Sequence, residues 1–461
     1  MEHDVTETRI MGAMPVNKLM LSMGIPIIIS MVLQAAYNIV DSAFISNMAQ
    51  NGEEALNALT LAFPMQMLMV AVSIGTGVGT NALLAKSLGQ NDQKKASLAA
   101  GNSLFLSAII YIVFLIFGIF GVRAYVSSQT SNILILNMAS DYLTICCNIS
   151  FCIIFFSVFE KLLQATGRSL YSTIAQISGA VTNIVLDPIM IYGLFGCPRF
   201  GVKGAAYATV IGQCVSLFTA AFFHYTKNKE INNSIKYLKP SLRIITEIYS
   251  IGLPAIISQA LMSVMTYVLN IILVGISESM VTSYGLYYKI QQFVLFAAFG
   301  LRDAITPIVS FSHGMKSRKR ITDGIKFGII YTLIIMFAGL LIIEIFAVPF
   351  SKVFGLSGNT QLLCISAMRI ISISSMFAGT NIALQGVFQA LDSGIESLII
   401  SVCRQLLFIL PMAYVFSKIA ASSPDKSYIV WFSFPITEIL SSVIAVILMK
   451  NIYNKKIKIL K

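Results

Sequence analysis

The chain of 461 residues is 56% hydrophobic and 11% charged, far below the roughly 25% charged residues of a soluble domain. Its 32 Lys and Arg against 20 Asp and Glu leave a formal charge of +12, so a nucleic-acid partner is the first class to test. Placement excludes it: the basic residues gather in short segments between long apolar runs, which is the pattern of a bilayer protein.

The first 15 residues carry Glu2, Asp4, Glu7 and Arg9 ahead of any apolar run and lack the architecture of a secretory signal. Apolar stretches then recur at 16–44, 60–85, 101–122, 133–158, 170–194, 204–225, 246–276, 284–312, 325–350, 362–387, 396–417 and 428–449. Each suffices for a hydrocarbon core that takes about 20 helical residues to cross. The predicted fold class is therefore an all-α polytopic membrane protein of twelve transmembrane helices. With the N-terminus inside, one side receives the basic runs Lys86–Lys95, Lys227–Arg243, Lys316–Lys326 and Lys450–Lys461, and the other only Arg123, Arg199, Lys203, Lys352, Lys418 and Lys426. That asymmetry predicts both termini in the cytoplasm and a plasma-membrane location.

A shift of 228 residues lays span one on span seven, matching Ser22, Gly24, Pro26, Ile28, Ile29, Ser30, Leu33 and Val40 to Ser250, Gly252, Pro254, Ile256, Ile257, Ser258, Leu261 and Val268. A shift of 225 aligns Gln66, Gly75, Ser87 and Gly89 with Gln291, Gly300, Ser312 and Gly314. Six spans per repeat is an even number, so the two six-helix lobes enter the membrane the same way round, as a parallel internal repeat. The expected division is an N-terminal lobe at 1–225, a cytoplasmic linker at 226–245, a C-terminal lobe at 246–450 and a basic tail at 451–461.

Acids inside apolar runs carry the chemistry, because a carboxylate at the centre of a membrane helix costs roughly 2.5 to 3.5 kcal/mol on insertion scales. Asp41, Glu160 and Asp187 lie in the first repeat, without acidic counterparts in the second. In span one Gln34, Tyr37, Asn38 and Asp41 fall at i, i+3, i+4, i+7, one polar face of a helix. Span five carries Asn183 and Asp187 at i, i+4, and Pro188 deprives the carbonyl of Ile184 of its helical donor. Span six brings Thr209 to a similar depth, so four oxygen-bearing residues, Asp41, Asn183, Asp187 and Thr209, converge as a candidate cation site. These hard oxygens suit Na+ or a proton, the one cofactor-like species expected. Glu160 beside Lys161 fits a cavity role or a local ion pair, and its repeat counterpart is Gln385. Arg302 and Asp303 can neutralise each other, while Arg369, Arg404 and Glu438 read as structural partners. Tyr37, Phe63, Met65, Tyr288 and Phe293 are candidate lining residues for flat organic cations. The seven cysteines show no metal-ligand spacing and read as small core hydrophobes, and His3, His224 and His313 fall at the terminus or at span ends.

The segments Gly24–Asp41, Gly179–Pro188 and Gly201–Thr209 resemble the multidrug and toxic compound extrusion (MATE) family, and the context of Glu160, Phe159–Arg168, resembles its MepA-type branch. The resemblance implies a V-shaped pair of lobes exporting varied, often cationic and aromatic compounds in exchange for inward-moving Na+ or H+, by alternating access. It also implies a cation site at Asp41, Asn183, Asp187 and Thr209. The expected partners are small organic cations and drugs together with membrane lipids, the expected working unit is a monomer, and the expected activity is transport, not enzymatic catalysis. The alternatives are a lipid-linked precursor flippase of the same superfamily, which would place basic residues in its cavity, and an ion channel, which would need a polar path through both lobes.

Overall fold

The computed structural model describes residues 11–12, 14–46, 48, 52–353, 358–422 and 424–460. Among them every regular element is a helix, and there is no strand. Long apolar sequences with no water to serve their backbone must satisfy every N–H and C=O internally, and helices do so within one segment. The first half comprises α1 (Val16–Ser46), α2 (Gly52–Gly89), α3 (Gln93–Ile116), α4 (Val122–Ser127), α5 (Ile133–Asn148), α6 (Phe151–Ala165), α7 (Ser169–Tyr192) and α8 (Val202–Lys227). The second half comprises α9 (Leu242–Val274), α10 (Glu278–Gly314), α11 (Arg318–Val353), α12 (Gly358–Ser372), α13 (Ser375–Ala390), α14 (Gly394–Val402), α15 (Ile409–Ser422) and α16 (Ser433–Ile452).

Among the described residues ten helical segments are long and apolar enough to cross a membrane. Two more spans are broken pairs, α5 with α6 bent by 47° and α12 with α13 bent by 52°, which brings the total to the predicted twelve. This is a multi-pass membrane protein.

The chain forms two compact units, and they do not coincide with 1–225 and 246–450. One is built from Ile29–Ile256, the other from Pro15–Ile28 together with the chain from Ile257 onward. Both α1 and α9 thus begin in one unit and finish in the other, each changing over two residues beyond its repeat-matched proline, Pro26 or Pro254. Those prolines leave the carbonyls of Ser22 and Ser250 without helical donors.

Close packing at matched glycines explains the exchange. A Cβ on Gly75 of α2 would meet Cγ1 of Ile256, with the backbone N of Ile256 at 2.8 Å and the carbonyl oxygen of Gly252 at 2.9 Å. In the other unit a Cβ on Gly300 of α10 would lie 2.9 Å from Cα of Ile28. Only a residue without a side chain lets these backbones touch, and such contacts are what hold helices together in lipid.

The segment expected as a linker between lobes, 226–245, lies wholly within the first unit and is folded onto it. Arg168 donates to both carboxylate oxygens of Glu230 at 2.8 and 2.9 Å, and Thr166 donates to Asn228 at 2.7 Å. Asn102 accepts from the backbone N of Ser241 at 2.7 Å and donates to the carbonyls of Tyr237 and Lys239. Two of the cysteines read as core hydrophobes, Cys152 of α6 and Cys214 of α8, are joined as a disulfide.

In the second unit Arg302 pairs with Asp303 at 2.9 Å, and Arg404 grips Glu438 through Nε and an Nη at 2.7–3.0 Å, with Asn381 donating to the same carboxylate at 2.7 Å. Arg369 takes no part in that pair.

The glycine contacts make a direct prediction. Gly75→Ala should lower the thermal midpoint of the purified protein by several degrees, as overpacking of about 1–3 kcal/mol does. Gly285→Ala, where an added Cβ meets nothing within 4 Å, is the matched control and should stay within a degree or two. Equal midpoints for the two variants would refute the account.

Candidate cation site in the first unit

Two helices pack backbone to backbone to build the site. A Cβ on Gly212 of α8 would lie 2.7 Å from the carbonyl oxygen of Gly179 and 3.0 Å from Cβ of Asn183, so α7 and α8 meet at the turn that carries Asn183. One turn further along α7, Asp187 is fully buried; Asn183 is only 4% exposed and donates from Nδ2 to Oδ1 of Asp187 at 3.3 Å. From α1 the half-buried Asp41 brings its carboxyl within hydrogen-bonding reach of Asp187. Tyr37, one turn earlier on α1, lies close enough to feel the charge of both acids.

Buried polar atoms in folded proteins nearly always find a partner. Here Oδ1 of Asp41, Oδ2 of Asp187 and Oδ1 of Asn183 find none. Three acceptor oxygens on neighbouring side chains lack a donor, and two belong to acids in contact. Two unit charges about 4 Å apart repel by roughly 4 kcal/mol at an effective dielectric of 20. A proton shared between the acids or a small cation held by their oxygens removes that repulsion. Hard oxygen ligands fit a small hard cation. Among the described residues no cluster of three His, Cys, Asp or Glu exists that would favour a transition metal.

Thr209 of α8 neighbours Tyr142 of α5. The Tyr142 phenol, 3% exposed, accepts a hydrogen bond from Nε2 of Gln66 at 3.2 Å. Gln66 also reaches Sγ of Cys146 at 3.5 Å. Tyr142 is itself within range of the Asp41 charge.

The remaining candidates scatter. Gln34 accepts from Nε2 of Gln176 on α7 at 2.9 Å, below the acid pair. The side chain of Asn38 lies outside the described residues. Glu160 is 7% exposed and belongs to a separate cluster, where Gln164 donates to it at 3.1 Å and Lys161 donates to Gln164 at 2.9 Å. Roughly 27 Å of helical rise separates Glu160 from Tyr142 along the broken span. Phe63 is 53% exposed, and Met65 lines a wholly apolar cavity of about 390 Å³ with Leu68, Val72, Ile110, Val113 and Phe117. Tyr288 packs beside Tyr284 in the core of the second unit, ring centroids 6.0 Å apart, and Phe293 is half-buried there. The sequence reading missed Tyr142, Gln176 and Tyr192, and it saw Gln66 only as a repeat marker. Each is a hydrogen-bonding side chain inside an apolar run, and that was the available signal.

The sequence matches the family profile described as MatE over residues 26–189 and 254–415, more than half of the chain. The chain belongs to the MatE family. The two matched stretches start at Pro26 and Pro254, the same 228-residue offset that relates span one to span seven. Among curated relatives, this MatE protein is 24% identical over 439 residues to the multidrug export protein MepA of Staphylococcus haemolyticus, covering 95% of this chain and 94% of the relative. It is similar to a crystal structure described as MATE in the straight conformation, with a TM-score of 0.90 and 25% identity over 96% of this chain and 98% of that one. It is equally similar to a MOP superfamily transporter from Pyrococcus furiosus described as having a binding pocket of reverse polarity that suggests a different function. There the TM-score is 0.88 and the identity 26%, over 96% of this chain and 97% of that one.

If the acid pair takes a cation, occupancy stabilises the fold by linkage, about 2.7 kcal/mol at 100 times the dissociation constant. The thermal midpoint should rise with added Na+ or with falling pH. In Asp187→Asn one of the two facing charges is gone, so the cation-free protein should melt higher than wild type and respond to neither addition. A wild-type cation response surviving in the variant would place the ion elsewhere.

Proposed function

We propose that this MatE protein is a secondary active multidrug exporter. It moves organic, often cationic and aromatic compounds out across the plasma membrane in exchange for Na+ or H+. The observation that carries the reading is the contact between Asp41 and Asp187 with three acceptor oxygens left without donors. The relatives it resembles over nearly their whole length are named as multidrug export proteins.

Alternating access needs a ligand that binds two states unequally, because equal binding shifts nothing. An acid pair meets this need: charged, it attracts an organic cation and repels itself; filled by Na+ or a proton, it does neither. Drug and coupling ion then compete for one negative charge, and each inward ion releases an outward cargo. The N-terminus and the basic runs belong on the cytoplasmic side, and the protein works as a monomer. A second reading, a transporter of lipid-linked precursors, draws on the reverse-polarity relative. The acids of the first unit weigh against it, since an anionic cargo would meet a negative site.

Ethidium efflux from proteoliposomes under separately imposed Na+ and pH gradients tests the proposal. One gradient should drive efflux in wild type, and Asp41→Asn and Asp187→Asn should reduce the driven rate at least 100-fold while inserting normally. Driven efflux at the wild-type rate in either variant would sink it.

A further inference from the structure

Beyond the carboxyls themselves, α1 and α7 are tied together on both sides of the acid pair. Two turns before Asp41, Gln34 accepts from Gln176 at 2.9 Å. One turn after Asp41, the hydroxyl of Tyr192 donates to the backbone carbonyl of Phe44 at 2.6 Å. The Phe44 and Tyr192 rings meet edge to face, centroids 6.3 Å apart and planes at 79°. All four residues lie in the first unit.

The carbonyl that Tyr192 reaches is not arbitrary. The last four carbonyls of a helix have no intrahelical donor, and α1 ends at Ser46. Among the described residues, the amide four positions beyond Phe44, that of Met48, donates to Ile45 instead at 3.2 Å. Tyr192 is in turn the last residue of α7, fixed by Gly193 in the left-handed conformation with φ +77°. A helix end on α7 therefore caps a helix end on α1, one turn beyond two acids that repel each other when both are charged.

Resting on the proposed cation exchange, we infer that Tyr192 is a positioning residue for the coupling site. Its cap on the Phe44 carbonyl holds the outer turn of α1 against α7 and sets the gap between Asp41 and Asp187, and so the affinity for the coupling cation. Without the cap the outer turn of α1 yields to the repulsion between the acids. The oxygens then stand too far apart for one ion, and the cation must pull α1 back at the expense of its own binding. The other titratable groups around the pair, Tyr37 on α1 and Tyr142 and Cys146 on α5, are untouched by this change.

The test is Tyr192→Phe, which keeps the ring contact and deletes the hydroxyl, with Phe44→Leu as the partner that deletes the ring and keeps the carbonyl. Both variants and wild type are titrated with Na+ at fixed pH and with protons at zero Na+. The readouts are the thermal midpoint of the purified protein and ethidium efflux from proteoliposomes. In Tyr192→Phe the half-saturating concentration of the driving cation should rise about threefold to tenfold, as loss of one hydrogen bond does. The saturated efflux rate should stay within twofold, and Phe44→Leu should keep the wild-type half-saturation. Unchanged half-saturation in Tyr192→Phe, whether or not its maximal rate or yield falls, overturns the positioning role and leaves the exporter standing. A wild type whose stability and efflux ignore both cations overturns the exporter reading and this inference with it.

Discussion

Two carboxyl groups held in contact, one of them fully buried, repel each other when both are charged unless a cation stands with them, and the first unit is arranged around that constraint. Asp187 is placed by the glycine contact of α7 with α8, Asp41 by the polar face of α1, and the amide of Asn183 satisfies only one of the four carboxylate oxygens. An arginine would neutralise the pair, but among the described residues none bonds to either acid, although the same chain uses arginine in the second unit, where Arg404 and Asn381 saturate Glu438. The difference between a finished ion pair and an unfinished acid pair separates a structural charge from one that can exchange its partner.

The repeat makes that contrast sharper. In the first unit Lys161 of α6 packs over Gly77 of α2, its Cγ 2.8 Å from where a Cβ of Gly77 would be. In the second unit Arg302 of α10 packs over Gly386 of α13, again with its Cγ at 2.8 Å. The 225-residue shift equates Gly77 with Arg302 and Lys161 with Gly386, so cation and glycine have traded helices. Each cation keeps a buried acid next to it in sequence, Glu160 or Asp303. At this place each unit has one cation packed over one glycine, and either helix supplies the cation where the other supplies the glycine. Close packing permits the swap and forbids having both.

Much of this was legible beforehand because a membrane simplifies sequence. Apolar runs of the right length gave twelve spans, and acids inside such runs are rare enough to single out Asp41, Glu160 and Asp187, of which the structure brings Asp41 and Asp187 together and keeps Glu160 in a separate cluster. The breaks after Asn148 and Ser372 were not visible, since 133–158 reads as a continuous apolar run with no proline or glycine at the bend. Tyr142, Gln66 and Tyr192 escaped for a different reason. A tyrosine or glutamine in an apolar span gains meaning only from the helix it faces, and periodicity within one helix does not say which neighbour that is. The composition of the two units was hidden for the same reason: the repeat shows that α1 resembles α9 without showing that each lends its first half to the other unit.

That loan bears on how the chain is made. Pro15–Ile28 leaves the ribosome about 250 residues ahead of α10, and further ahead of α11, yet it packs against both, where Gly24 meets Leu301 and Met20 reaches within 3.6 Å of a Cβ on Gly328. The first unit, for its part, lacks a wall until Leu242–Ile256 has been synthesised. Neither unit can therefore close as its own stretch of sequence emerges, and the most sequence-distant contacts, the slowest kind to form, are needed by both. Insertion into the bilayer and final packing are in consequence separate events, since the first half of α1 reaches its place only once α10 and α11 have been made.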